Sequence, residues 1–134
     1  MSAVMGTYYF GAAVDGSGDE YKIVKREANA GGKAVVALST AGDEDGFGVV
    51  QDIGLGSVGQ SAAVCVAGLC KVKLGATFTP GTDTPLFKSD ANGLAVPCDT
   101  DLDPAIGYLL MDEAVTYASG DIVNAIVARS TYGK

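Results

Sequence analysis

The groups that could do chemistry are few, and their spacing suits it poorly. The 134-residue chain contains no histidine, which removes Ser-His-Asp and Cys-His catalysis, His-ligated metals and a His switch near neutral pH. No SxxK motif offers its serines a lysine base instead. Cys65, Cys70 and Cys98 are an odd set, which fits reduced structural thiols better than a disulfide framework or a zinc site. The acids come closer to a pattern. Asp99-Thr100-Asp101-Leu102-Asp103 places carboxylates on alternate residues, as the opening of a calcium loop does. Pro104 then stands where that loop needs Gly, and Leu110 where it needs Glu. The stretch therefore reads as a solvated loop, able at most to hold an incidental surface cation. Asp43-Glu44-Asp45, flanked by glycines, reads as a loop tip.

Gly54-Leu55-Gly56-Ser57-Val58-Gly59 spells GxGxxG. A dinucleotide site needs that loop to open a helix and an acid about 20 residues on. Here it leads into an alternating strand pattern, so it reads as a turn. No cofactor or metal site is expected, and the chemistry points to a structural or binding protein.

The elements around these groups read as strands. Nineteen glycines and a hydrophobic share of 48% suggest short strands and tight turns in one globular domain. Residues 33–40, 47–53, 86–88, 94–96, 106–111 and 122–129 each read as a strand, and 89–93 supplies an Asn-Gly hairpin turn. Residues 112–117 have room for one helical turn. The clearest alternation runs over 60–74, with Ala62, Val64, Val66, Cys70, Val72 and Leu74 on even positions. Gly68 marks a corner within it. On this parity Cys65 faces away from Cys70 unless a bulge at Gly68 intervenes, so no Cys65–Cys70 disulfide is expected. The last strand, 122–129, is apolar on both faces and is expected to be central.

Residues 1–32 differ from the rest. They are glycine-punctuated and carry the adjacent aromatics Tyr8, Tyr9 and Phe10, with short strands expected near 7–14 and 21–25. They read as an N-terminal arm, partly extended, beside a β domain over 33–134. The net charge of −7 disfavours nucleic acid and anionic membranes as partners. The first ten residues lack the basic flank and apolar run of a signal peptide, so cytoplasmic synthesis is expected.

The run KAVVALSTAGDEDGFGVVQDIGLGSVGQSAAVCVAGLCKVKLG resembles the capsid decoration, or cement, proteins of tailed bacteriophages. The later segments PGTDTPLFKSDANGLA, DPAIGYLL and GDIVNAIV extend the likeness over about three quarters of the chain. The resemblance implies a compact all-β fold of the β-barrel or β-tulip kind and a homotrimer on the outer surface of the phage head. Its partner there would be the major capsid protein, whose neighbouring subunits it would bridge to stabilise the shell. No enzyme activity is implied. Tyr8, Tyr9 and Phe10 are then the expected capsid or subunit contacts, unless they fold back onto the domain's own strands. Two other readings stay open: a small trimeric β-barrel hydrolase using aspartates and a divalent metal, and a surface adhesion module using Tyr8, Tyr9 and Tyr132.

Overall fold

The computed structural model describes residues 3–10, 19–30, 33–40, 46–52 and 61–133. The GxGxxG loop and the acids at 43–45 lie outside the described residues. The fold is all-β, with no helix among the described residues. Its strands are β1 (Val4–Phe10), β2 (Ile23–Ala30), β3 (Lys33–Leu38), β4 (Gly46–Asp52), β5 (Ser61–Lys73), β6 (Leu86–Ser89), β7 (Ala95–Pro97), β8 (Pro104–Leu109) and β9 (Ile122–Thr131). They hydrogen-bond in the order β1-β3-β2-β4-β5-β9-β8-β6-β7, and β1 also pairs with β5. Every pairing of named strands is antiparallel except β1 with β3.

The nine strands do not close into a single barrel. Instead β5 belongs to two ladders. Its first half pairs with β1 and β4, and its second half, from Gly68 to Lys73, pairs with β9. The switch lies at Gly68, whose φ of 91° is left-handed backbone that a glycine enters without a Cβ clash. The same residue changes the parity of the strand. Val64 faces a smaller core with Val24, Val36, Ala37, Phe47 and Val50. Cys65 instead joins Cys70, Val72 and Leu74 in a larger core. The even-numbered face expected from 60 to 74 therefore breaks at the corner, and Cys65 and Cys70 share one core as free thiols.

The larger core lies against the second ladder and is closed by Phe78, Phe87, Ile106, Leu109, Val123, Ala125 and Val127. Phe78 and Phe87 are fully buried, each contributing about 1.5–3 kcal/mol on transfer from water. The hairpin at 89–93 forms as its Asn-Gly pair suggests. Asp90 Oδ1 accepts the N–H groups of Asn92 at 2.8 Å and Leu94 at 3.0 Å, and β6 pairs with β7 across it. Residues 112–117 are not helical. Asp112 Oδ1 accepts from Ala114 N–H at 2.9 Å, and Phe78 bridges to Tyr117. That side-chain acceptor closes a turn locally, and Tyr117 then leaves as extended chain.

The two described strands before residue 32 lie within the sheet. β2 sits between β3 and β4, and Ile23 and Val24 are fully buried, one in each core. β2 and β3 pair from Val24 with Leu38 as far as Ala30 with Lys33.

Candidate interaction face

The aromatic cluster lies on β1. Tyr8 packs on the smaller core, with its ring centroid 5.2 Å from that of Phe47 at an interplanar angle of 57°. This tilted geometry favours the ring quadrupoles. The Arg26 guanidinium lies 5.5 Å from the Phe47 centroid, so a cation covers the ring that Tyr8 meets. Tyr9 is half-buried and pairs in register with Val35 and Ser61. Phe10 pairs with Val36, and its side chain lies outside the described residues.

A second surface, which the sequence did not single out, lies on the outer side of the ladder β5-β9-β8-β6. Side chains of residues paired across strands stand on one face. The pairings Leu69↔Ile126, Tyr108↔Ile126 and Leu86↔Tyr108 therefore align four apolar residues in one row across the sheet. The next rows hold Lys71 beside Asn124 and Lys73 beside Ile122. Leu69 is 43% exposed, Tyr108 37% and Ile122 50%. Two open hollows flank the row and meet at Asn124. One, of about 420 Å³, is lined by Leu110, Val115, Tyr117, Asp121, Ile122, Val123 and Asn124. The other, of about 380 Å³, is lined by Tyr21, Gln51, Leu69, Cys70, Lys71 and Asn124. Gln51 fixes the wall of the second by donating to Lys71 O at 2.8 Å and accepting from Lys71 N–H at 3.0 Å. Ile126 is buried and Leu86 half-buried, so Leu69 and Tyr108 are the exposed members of the row, and exposed apolar side chains set together are what an interaction surface presents.

The loop at 99–103 uses its carboxylates internally. Lys88 Nζ donates to Asp99 Oδ1 and Asp103 Oδ2, each at 2.9 Å. Asp103 Oδ2 also accepts the N–H groups of Asp99 at 3.1 Å and Thr100 at 2.9 Å. Lys88 is the main cause that holds Asp99 below its ordinary pKa. At Asp103 burial pushes upward, but Lys88 and the two N–H groups outweigh it and the pKa is lowered. Burial, reinforced mainly by the Asp103 charge, pushes the nearby Cys98 thiol up to about 11. Burial likewise raises Cys70, with Cys65 adding to the shift. Such thiols are held protonated and are poor nucleophiles. Leu102, at the tip of the loop, is 72% exposed.

No family model and no curated protein sequence matches the chain. A solved structure does match in fold: the N base of head fiber gp8.5 from bacteriophage phi29. It is 16% identical to this chain, covers 99% of it and is itself covered over 100% of its length, with a TM-score of 0.69. From end to end, this chain shares the fold of a phage head fiber base.

Proposed function

We propose that the chain is a structural protein of a bacteriophage virion that sits on the outer surface of the head. There it binds the major capsid protein as a homotrimer, bridges neighbouring subunits and stabilises the shell without catalysis. The observation that carries this reading is the fold likeness over the whole chain to the base of a phage head fiber. Leu69 and Tyr108, exposed on either side of Ile126 in one cross-strand row, support an assembling role, because the core of this domain is already complete beneath them. Stabilisation follows from linkage: a protein that binds only the assembled shell favours that shell by mass action.

The test is sedimentation of the purified chain with heads of the phage that encodes it, followed by a thermal melt of the decorated heads. The expected result is co-sedimentation and a higher melting temperature for the decorated shell. A chain that stays in the supernatant with heads in excess overturns the reading. Binding without any rise in shell stability overturns the stabilising role and leaves attachment alone.

A further inference from the structure

β5 carries Cys65 before its corner and Cys70 after it. In a regular strand, residues at this spacing stand about 16 Å apart and face opposite sides of the sheet. A disulfide needs Cα atoms within about 7 Å, so a straight β5 would keep the two thiols apart. Two irregularities lie between them. Val4 pairs with Ala67 and Met5 with Cys65, which leaves Val66 as an extra residue in the ladder. Gly68 then holds φ at 91°. The bulge bends the strand and the left-handed glycine turns it, so both cysteines arrive in one core. There the two side chains hydrogen-bond to each other. The Cys65 thiol also donates to Ala67 O at 3.6 Å and to Gly68 O at 3.8 Å, which aims its sulfur into the corner.

The pair has a route to solvent on one side. Cys65 is fully buried, whereas Cys70 lines the open hollow of about 380 Å³ with Tyr21, Gln51, Leu69, Lys71 and Asn124. Hydrogen peroxide, little larger than water, reaches Cys70 from that hollow. The third cysteine offers an internal control. Cys98 is buried beside Lys88 and Asp103 and is not a member of the core that holds the pair.

We propose that Cys65 and Cys70 are a peroxide-sensitive dithiol that closes to a disulfide across the corner of β5 while the chain stays folded. Hydrogen peroxide oxidises the Cys70 thiol to a sulfenic acid as its O–O bond breaks, and the other oxygen leaves as water. The Cys65 sulfur then bonds to the Cys70 sulfur and displaces the hydroxyl, which takes the Cys65 proton and leaves as a second water. Two thiols lose two hydrogens and one peroxide becomes two waters. Burial keeps the Cys70 thiol protonated, so the first step is slow beside that of a free thiol. The bridge fastens the ladder of β1 and β4 to that of β9 at the point where β5 passes between them. It does not depend on the head-surface reading.

The experiment treats the folded full chain with hydrogen peroxide, alkylates the remaining thiols in denaturant and reads the tryptic peptides by mass spectrometry. No Lys or Arg lies between Ala34 and Lys71, so one peptide carries both Cys65 and Cys70, and Cys98 falls in the peptide from Ser89 to Arg129. The first peptide is expected to lose two hydrogens and to escape alkylation, while the second is alkylated. The bridged chain is expected to melt cooperatively, at a midpoint no lower than that of the same sample after thiol reduction. Cys70→Ser is expected to leave Cys65 alkylated, and Cys98→Ser to leave the bridge in place. The wild-type peptide map decides the pairing even where a variant fails to fold. A first peptide that stays fully alkylated, or that carries a sulfinic acid at Cys70 beside an alkylated Cys65, overturns the proposal. So does a bridge to Cys98, a bridge that forms only in denaturant, or a bridged chain that melts below its reduced form.

Discussion

Gly107 offers the sharpest test of the packing beneath the outer face. It pairs with Val127 on one side and Phe87 on the other, next to a register shift after Ala105. A Cβ placed on it would stand 2.0 Å from Ile126 O and 3.0 Å from both Ile126 C and Val127 Cα. All three are backbone atoms, so no side chain can swing aside and β8 must part from β9. Overpacking in a core costs about 1–3 kcal/mol when neighbours can adjust, and a backbone obstacle puts Gly107→Ala at about 3 kcal/mol or above. For a domain of this size that is a fall in melting temperature of roughly 10–15 °C. Gly81 supplies the control, since it holds φ at 83° with nothing within 4 Å of its would-be Cβ. Gly81→Ala meets only the left-handed penalty of about 1 kcal/mol, or roughly 4 °C. Calorimetric melts of the two variants beside the wild type measure both numbers. If Gly107→Ala melts with the wild type, or above Gly81→Ala, the close approach of β8 to β9 is wrong.

Two other predictions concern the first strands and the acid loop. Deleting residues up to Gly31 removes β1 and β2, including fully buried Ile23 and Val24, and is expected to abolish cooperative melting by circular dichroism. A truncated chain with a sharp transition would show that the remaining strands fold alone. Lys88→Met should flatten the acid limb of stability. Asp99 and Asp103 have folded pKa values below their unfolded ones, so their pairing stabilises fully above the ordinary carboxylate pKa and is lost as pH falls through the lower folded values. The wild-type urea midpoint should therefore fall more than that of Lys88→Met between about pH 6 and about pH 3. Parallel profiles would mean that Lys88 contributes nothing through these carboxylates.

Much of the strand content is legible in the sequence, because alternation and turn residues act locally. Residues 33–40, 47–53 and 122–129 lie within a residue or two of β3, β4 and β9, and Asn92-Gly93 turns where its residue types require. What local pattern cannot carry is parity across a corner. The alternation over 60–74 looks unbroken, yet one left-handed glycine at 68 puts Cys65 on the side of Cys70. The first strands show the same limit. Residues 23–30 alternate poorly, and they become a strand because β3 and β4 flank them and both cores take one of their side chains. Non-local partners supply what their own propensity does not.

The interaction face was half legible, and the reason is physical. The sequence marks 122–129 as apolar on both faces, and a strand with one wet face does not need that pattern. Val123, Ala125 and Val127 fill the larger core, which accounts for one face. Ile122 and Ile126 stand on the other, where a monomer leaves Ile122 half exposed and surrounds Ile126 with Leu69 and Tyr108. Register is what turns these scattered residues into a row, and register depends on the bulge after Ala105 and on the corner at Gly68. The tip of the acidic loop is less legible still. Leu102 reads in sequence as a residue within an acidic loop, and only the bonds to Tyr132 and the shared grip of Asp103 on Lys88 make it a fixed projection. Stability does not require a leucine at that tip, where a glycine would adopt the same backbone without strain. Leu69, Tyr108 and Ile122 are the residues that this register leaves exposed on the outer face, so the apolar surface that the core does not use is set by strand pairing and not by the pattern of any one strand.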